Sequence, residues 1–531
     1  MWLYLLLFFC AILAYYVVKQ HSHWKSKNVT QGPIVPIFGD SLQVIFRKES
    51  AYDMTLRIYN RFPNERYTGI YQMSNPILVI RDPELLKTVT VKDFDHFTDH
   101  RHFLPEDIDP LWSKNLFSLN GDKWREMRAT MSPAFTSSKM RAMFCLINEC
   151  AEGLADYFQE ENKKGQVVRE MKDVFTRYAN DVIATCAFGI KCDSMKEPEN
   201  EFYIMGRKAT DFSNLWTNLK FMLFSVMPMI SNFVEVKMFS KETSNFFMSV
   251  ITNNLRMREE QNIVRPDMIN LLMEARKGKL KHEGETQEQD AGFATVQESE
   301  IGMKEMKTKR EITDVDITAQ ALIFFLAGFE TVSTLMTFMS YELAINPDIQ
   351  KRLQEEIDET REKCNGRLTY EILATMKYMD MVISETLRKW PPVVTLERSC
   401  VKPYTIPATR PNESAVHLKV NDIIWLPSVA IQRDPKYYPE PDKFDPERFN
   451  DENKHQIKPF VYNPFGYGPR NCIGSRFALM ETKTVFFHLL SKCDLVIVEE
   501  TIVPLKINKK IFSLGAEDGV TLGFKPRQRN N

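Results

Sequence analysis

The chain has 531 residues, 44% of them hydrophobic, and a formal net charge of −1. That apolar content is ample for a large buried core, and near-zero charge without a basic block excludes a field suited to nucleic acid. The nine cysteines are odd in number and include no Cys-x-x-Cys pair, which fits a reduced, cytosol-facing protein and excludes a disulfide scaffold.

Residues Trp2 to Val18 form one unbroken apolar run, followed by Lys19, His21, His23, Lys25 and Lys27. The run is at the short end of what spans a hydrocarbon core of about 30 Å. Positive charge after it, and none before, predicts a lumenal N-terminus and a cytosolic remainder. We expect residues 1–24 to be a transmembrane signal anchor; a cleaved signal peptide is the rival, though such peptides carry their charge in front. The length would ordinarily suggest several domains, but no Pro/Gly/Ser linker divides the rest, so 25–531 reads as one domain.

Gly32, Pro33, Pro36 and Gly39 form a stiff hinge. Alternation over Thr68–Ile80 predicts a small sheet. Helical periodicity dominates from Asp122 to Lys363, and places Trp124 and Arg128 one turn apart. The interval 277–310 is polar and reads as a mobile linker. Leu219 to Phe233 is apolar but too short to span a bilayer; buried core and membrane-surface insertion are both open. Thr313 starts and Asn346-Pro347 stops a helix of roughly 50 Å, apolar on nearly all sides and therefore central. In its middle lie Ala327, Gly328, Phe329, Glu330 and Thr331. An acid and an alcohol there are expensive without partners or a task.

Glu385 and Arg388 share one helix face. Tyr404–Leu426 returns to short strands, and Asp434–Phe465 is a Pro-rich coil containing Arg448. The chain then reaches Phe465-Gly-Tyr-Gly-Pro-Arg-Asn-Cys472-Ile-Gly474, a glycine-punctuated turn opening onto a helix. A thiol at a helix start, two residues from Arg470, is expected to favour its thiolate. Gly468 and Gly474 remove side chains where backbone approaches a flat ligand, and Phe465 can cover the sulfur.

The pattern Phe465, Gly468, Arg470, Cys472, Gly474 resembles the haem-binding loop of the cytochromes P450. Ala327-Gly328-Phe329-Glu330-Thr331 resembles their oxygen-activation motif, and Glu385, Arg388 and Arg448 their structural triad. The wording around these motifs is similar to insect microsomal enzymes of family 9. The resemblance implies a mainly α fold with a minor β region, and haem b between the long helix and the cysteine loop. It implies Cys472 as iron ligand, an axial thiolate being what drives O–O cleavage in such enzymes. Glu330 and Thr331 would be catalytic, and Ala327 and Gly328 would lie against the cofactor. Trp124, Arg128, Arg398 and Arg470 match propionate-binding positions, and His100 stands where relatives often have another partner.

By location alone, Phe103, Leu116, Phe117, Phe324, Phe325, Val393, Val394, Leu396, Ile511 and Phe512 are candidate walls of a lipophilic pocket, and each reads equally well as plain core. No flavin or nicotinamide fingerprint is present, so the resemblance implies NADPH–cytochrome P450 reductase as electron donor at the endoplasmic reticulum membrane, with cytochrome b5 open as a second. Lys123, Arg125, Arg476 and Lys483 form either its docking face or scattered solvated charge. A P450-fold isomerase or peroxide-rearranging enzyme and a non-catalytic haem sensor are the rival functions.

Overall fold

The structure is a computed structural model that describes all residues except 1, 34, 102–107, 212–236, 278–292, 295–311, 412, 511–512 and 528–531. Phe103, Leu219–Phe233, Ile511, Phe512 and nearly all of the 277–310 linker thus lie outside the described residues. Twelve longer helices carry labels: α1 Trp2–Ser26, α2 Ala51–Asn60, α3 Gly121–Met131, α4 Ser137–Asn162, α5 Met171–Ala187, α6 Glu201–Thr210, α7 Lys241–Gln261, α8 Met268–Arg276, α9 Asp314–Ile345, α10 Pro347–Lys363, α11 Lys377–Lys389 and α12 Ser475–Lys492.

The strands are β1 Tyr67–Gln72, β2 Asn75–Ile80, β3 Val167–Glu170, β4 Leu396–Ser399, β5 Tyr404–Ile406, β6 Val416–Leu418, β7 Ile423–Leu426, β8 Cys493–Val496 and β9 Thr521–Pro526. They pair in the orders β1-β2-β7-β4, β3-β9-β8 and β5-β6. The predicted hairpin over 68–80 is present, with Thr68 opposite Val79 and Ile70 opposite Ile77. The sheet of β3, β8 and β9 joins segments far apart in the chain, and periodicity gave no sign of it. Helices dominate and strands are minor, as expected.

At the centre lies α9. Thr313 and Asp316 form a reciprocal capping box: Asp316 N donates to Thr313 Oγ1 at 3.2 Å, and Thr313 N to Asp316 Oδ2 at 3.0 Å. Among the described residues α9 is the one helix long and apolar enough to cross a membrane, but most of it is buried within the protein. It is therefore the core helix, packed between α5 on one side and α11 and α12 on others.

Two sequence expectations need correction. The boundary between residues 24 and 25 falls inside α1, whose last turns join the folded domain. Trp24 is 1% exposed, sits against Gly69, and its Nε1 donates to Ile70 O at 3.1 Å. A Cβ on Gly69 would lie 2.4 Å from the indole, so glycine there makes the seat. Lys27 adds an ion pair with Asp422 at 3.2 Å. Further up, Trp2, Tyr4, Leu5, Leu7 and Phe8 are exposed. Within the supposed linker, Phe293 and Ala294 are docked: Phe293 N donates to Asp380 Oδ2 at 2.8 Å, and its ring meets Phe449 and Tyr462. An aromatic ring seeks burial even in a polar stretch.

Trp24→Ala should free the end of α1, because it removes both the buried indole and its hydrogen bond, a loss on the order of 3–5 kcal/mol. Tryptic cleavage at Lys25 and Lys27 is expected to accelerate, with Trp24→Phe closer to the parent. Equal cleavage rates in parent and alanine variant would contradict the docking.

Candidate active site

The loop from Phe465 to Gly474 is closed by a backbone bond from Cys472 N to Phe465 O at 2.9 Å. Gly466 and Gly468 take φ of +78° and +70°, which L-residues with side chains rarely adopt. At Gly468 the need is doubled: a Cβ would fall 1.9 Å from Thr90 O. This glycine lets the loop pass a neighbouring backbone turn, and the flat-ligand reason given from sequence is corrected accordingly. A Cβ on Gly474 would meet nothing within 4 Å.

From α3, Arg128 donates Nη1 to Asn471 O at 3.0 Å and Nη2 to Asn471 Oδ1 at 2.7 Å. This two-point contact ties the helix to the residue before Cys472. Burial pushes the Cys472 thiol up, while a Gly474 N–H and the Arg128 charge pull it down. Burial wins; the N–H at the helix start favours the thiolate as expected, and the cation beside it is Arg128. Cys472 nevertheless keeps accessible surface. A bound metal ion would supply the missing charge, since a coordinating thiol is deprotonated outright.

Arg470 is also placed differently from expectation. Its guanidinium donates to Thr98 O at 2.7 Å, Leu116 O at 3.3 Å, Phe117 O at 3.5 Å, Leu119 O at 2.5 Å and Asn120 Oδ1 at 3.1 Å. All five donor positions serve residues 98–120. Trp124 lies beneath it, 4.3 Å from the guanidinium carbon. Arg470 therefore works as a clasp between the cysteine loop and the segment preceding α3.

Arg398, on β4, is 1% exposed; its Nη1 donates to Glu397 O at 2.7 Å, while its Nε has no partner among the described residues. The neighbouring Glu397 pairs instead with Arg101 at 2.9 Å. Burial pulls the Arg398 guanidinium down to about 10. His100 Nδ1 is likewise buried without a partner among the described residues, and burial followed by Arg398 and Arg470 pushes its imidazole well below the ordinary range. A buried guanidinium with its Nε unmatched, beside an unmatched imidazole nitrogen, suits an anionic ligand. Haem, whose propionates are such anions, fits this donor set together with one thiol on a rigid loop. Ala327, mid-way along α9, also keeps accessible surface.

On α9 the Thr331 hydroxyl donates to Ala327 O at 2.5 Å, a local competition with the helix ladder. Glu330 Oε1 receives Ser513 Oγ at 3.3 Å and lies 3.2 Å from Lys172 Nζ. Gly328 is used against α5: a Cβ there would stand 2.8 Å from Ile183 Cδ1. Its smallness brings two helices together, which corrects the role given it from sequence.

Glu385 and Arg388 form a fully buried pair, Nε to Oε2 at 2.6 Å and Nη2 to Oε1 at 2.9 Å. Arg448 Nε approaches Glu385 Oε1 at 3.5 Å, and Arg388 also donates to Gln432 O and Pro441 O. The structure thus brings the triad together, and through it fastens the coil that leads to the cysteine loop.

The pocket candidates divide. Phe325 is buried among Phe202, Phe247 and Phe329, with ring centroids 4.9–5.5 Å away, so it is core and not wall. Leu116 is buried, its N–H held by Gln320 Oε1, and Val394 packs against a cluster with Trp390. Phe324, half-buried, meets Phe135 edge-on. Phe117 and Val393 are exposed; Phe117 stacks on His100 with centroids 4.6 Å apart. Leu396 is half-buried beside Gly466. Of the supposed docking cations, Lys483 is buried and paired with Asp380 at 3.4 Å, so it drops out. Arg125 pairs with Asp95 at 2.6 Å, Arg476 reaches Ser137, and Lys123 is exposed. Sequence reasoning missed Asn471, Lys172 and Ser513, since each acquires its role from a partner distant in the chain.

A thiol loop, a buried cationic cluster and an acid–alcohol notch in one core helix define a haem-thiolate oxidase class of site. The family model for cytochrome P450 matches residues 30–521, and the chain belongs to the cytochrome P450 family, that of the haem-thiolate monooxygenases. It is 45% identical to Cytochrome P450 9e2 of Blattella germanica, over 98% of this chain and 97% of that one. It is 39% identical to Probable cytochrome P450 9f2 of Drosophila melanogaster over the full length of both, and 37% identical to Cytochrome P450 6k1 of Blattella germanica over 97% and 94%.

Arg388→Ala leaves Glu385 buried without its main counter-charge, a destabilisation of about 3–5 kcal/mol. Denaturant unfolding should register it, with haem released earlier than in the parent. Reduced protein under carbon monoxide should show the red-shifted Soret band of a thiolate haem. Cys472→Ser retaining that band would refute the ligand assignment.

Proposed function

We propose that the chain is a membrane-anchored monooxygenase that inserts one atom of O2 into a lipophilic small molecule, a xenobiotic or a lipid-like endogenous compound. Electrons come from NADPH through cytochrome P450 reductase, with cytochrome b5 as a second donor. α1 holds the enzyme in the endoplasmic reticulum membrane with the remainder cytosolic; the exposed aromatic and aliphatic residues of its first half support this.

Haem bound at Cys472 supplies the oxygen and electron chemistry. Cys472 would ligate the iron, while Arg398, Arg128 and His100 supply charge and donors for the propionates; Trp124 and Arg470 brace the segment that carries them. Phe465 would cover the sulfur, and Ala327 and Gly474 would present little bulk to the ring. Glu385, Arg388 and Arg448 keep the coil before the loop folded.

The observation that carries the reading is the pair Glu330–Thr331. Because the Thr331 hydroxyl spends its proton on Ala327 O, its oxygen lone pairs remain available to accept from a water or the reacting oxygen species. Glu330, next in the chain and half-buried, is the adjoining acid able to deliver protons. Half-buried Phe324 and exposed Phe117 and Val393 give the site apolar surface, suited to a lipophilic substrate.

Thr331→Ala should bind haem and substrate normally yet release NADPH's electrons as hydrogen peroxide. Product per NADPH is expected to fall by about tenfold or more, the low side of what positioned proton transfer contributes. Peroxide added directly should restore part of the product. Unchanged coupling would reduce Thr331 to a packing residue. Conversion without NADPH would favour an isomerase, and no product from a broad lipophilic panel would favour a sensor.

A further inference from the structure

Lys172 is the second residue of α5, beside a cap in which Glu170 accepts from Lys172 N and Asp173 N at 3.1 and 2.7 Å. By sequence it is a first-turn charge of the kind that usually points to water. Here its side chain turns away from the cap and lays the ammonium across α9. Nζ lies 3.2 Å from Glu330 Oε1, 3.0 Å from Glu330 O, 2.8 Å from Ser333 Oγ and 2.8 Å from Thr334 Oγ1. Three ammonium protons thus serve four oxygens on a single turn of the helix.

The placement is set by close helix packing at the same level. Gly328, two residues before the acid, lets α5 approach until a Cβ would touch Ile183. At the next residue Thr331 Oγ1 takes the Ala327 carbonyl. On the far side Ser513 Oγ reaches the same Glu330 oxygen at 3.3 Å. The Glu330 carboxyl is therefore held from two sides, by a cation on α5 and a hydroxyl from the C-terminal segment. Burial lowers the Lys172 ammonium, and Glu330 and Glu170 work against that. Such a group is retained as a cation because of the carboxylate it faces.

We propose that Lys172 is a positioning residue for the oxidation: it fixes the Glu330 carboxylate beside Thr331 and balances its charge each time a proton is passed on. This rests on the reading of Glu330 as proton donor. In the step itself, the Glu330 carboxylate takes a proton from solvent water, passes it toward the water accepted by Thr331, and returns to the carboxylate. Lys172 neither gains nor loses a proton; it keeps the carboxylate aimed and stable between the two transfers. A plain helix clamp would need only the bonds to Ser333, Thr334 and the Glu330 carbonyl, and would leave coupling independent of the acid.

The test uses the full chain in lipid vesicles with reductase, NADPH and a substrate it converts, comparing Lys172→Met, Lys172→Arg, Glu330→Gln and the double variant Lys172→Met/Glu330→Gln. Two readouts are taken: peroxide released per NADPH, and the infrared carboxyl region of the resting protein without turnover. Lys172→Met should raise peroxide release by about the factor seen for Glu330→Gln, on the order of tenfold, with substrate affinity unchanged. Lys172→Arg, which keeps the cation and the fold, should restore most of the coupling. The double variant should be no worse than Glu330→Gln alone, since both changes act on one group. Loss of the counter-charge should also give Lys172→Met a protonated-carboxyl band that the double variant lacks.

If Glu330→Gln leaves coupling intact, the reading of the acid fails and the inference with it. If Glu330→Gln uncouples while Lys172→Met does not, the inference alone is overturned. Multiplying effects in the double variant would likewise overturn it, because Lys172 would then act on the helix and not through the acid.

Discussion

Two hydrogen bonds from Arg128 to Asn471 hold the chemistry of this protein in place. A thiol can serve as an axial ligand only if the loop that carries it cannot retreat, and this loop has no regular structure of its own. Its rigidity is borrowed: from α3 through Arg128, from the segment before α3 through the five-fold clasp of Arg470, and from the closing bond of Cys472 N to Phe465 O. Gly468 makes the approach possible by letting the loop touch the Thr90 carbonyl. Burial disfavours the free thiolate, so the loop holds a group whose charge must be matched by what binds it.

The core helix had to be apolar to be central and polar to be useful. α9 resolves much of the conflict by giving its hydroxyl groups partners on the helix itself. Thr331 turns to Ala327 O; Ser333 to Phe329 O; Thr337 to Ser333 O at 2.7 Å. Glu330 draws instead on a cation from α5, much as Gln320 and Glu342 draw on Leu116, Lys114, Trp390 and Lys389 outside the helix. The buried Glu385–Arg388 pair solves a different problem. It costs desolvation, but its remaining donors hold the carbonyls of Gln432 and Pro441, so the coil that delivers the cysteine loop has a fixed path.

Much of this was legible in the residues. The long helix was bounded to within a residue, because capping box and Asn-Pro stop are local signals. Motif positions such as Glu385, Arg388 and Cys472 could be named because their spacing is characteristic. What could not be read depends on distance in the chain. Arg470 resembles a propionate ligand until its partners at Thr98 to Asn120 are known. Lys172 is an ordinary first-turn lysine until Glu330 arrives from 158 residues away. Phe325 was left open between wall and core because a helix apolar on all faces gives no hint which face meets substrate; its aromatic neighbours on α6 and α7 place it in the core. Lys483 looked like surface charge because burial of a lysine is rare, and Asp380 is what permits it.

As a monooxygenase, the enzyme inserts one atom of dioxygen into substrate and reduces the other to water. Turnover of the reductase-coupled enzyme under labelled dioxygen (18O2) should therefore leave one heavy atom in each product molecule and the other in water. Product whose new oxygen comes from solvent, or product formed equally well without dioxygen, would contradict that reaction.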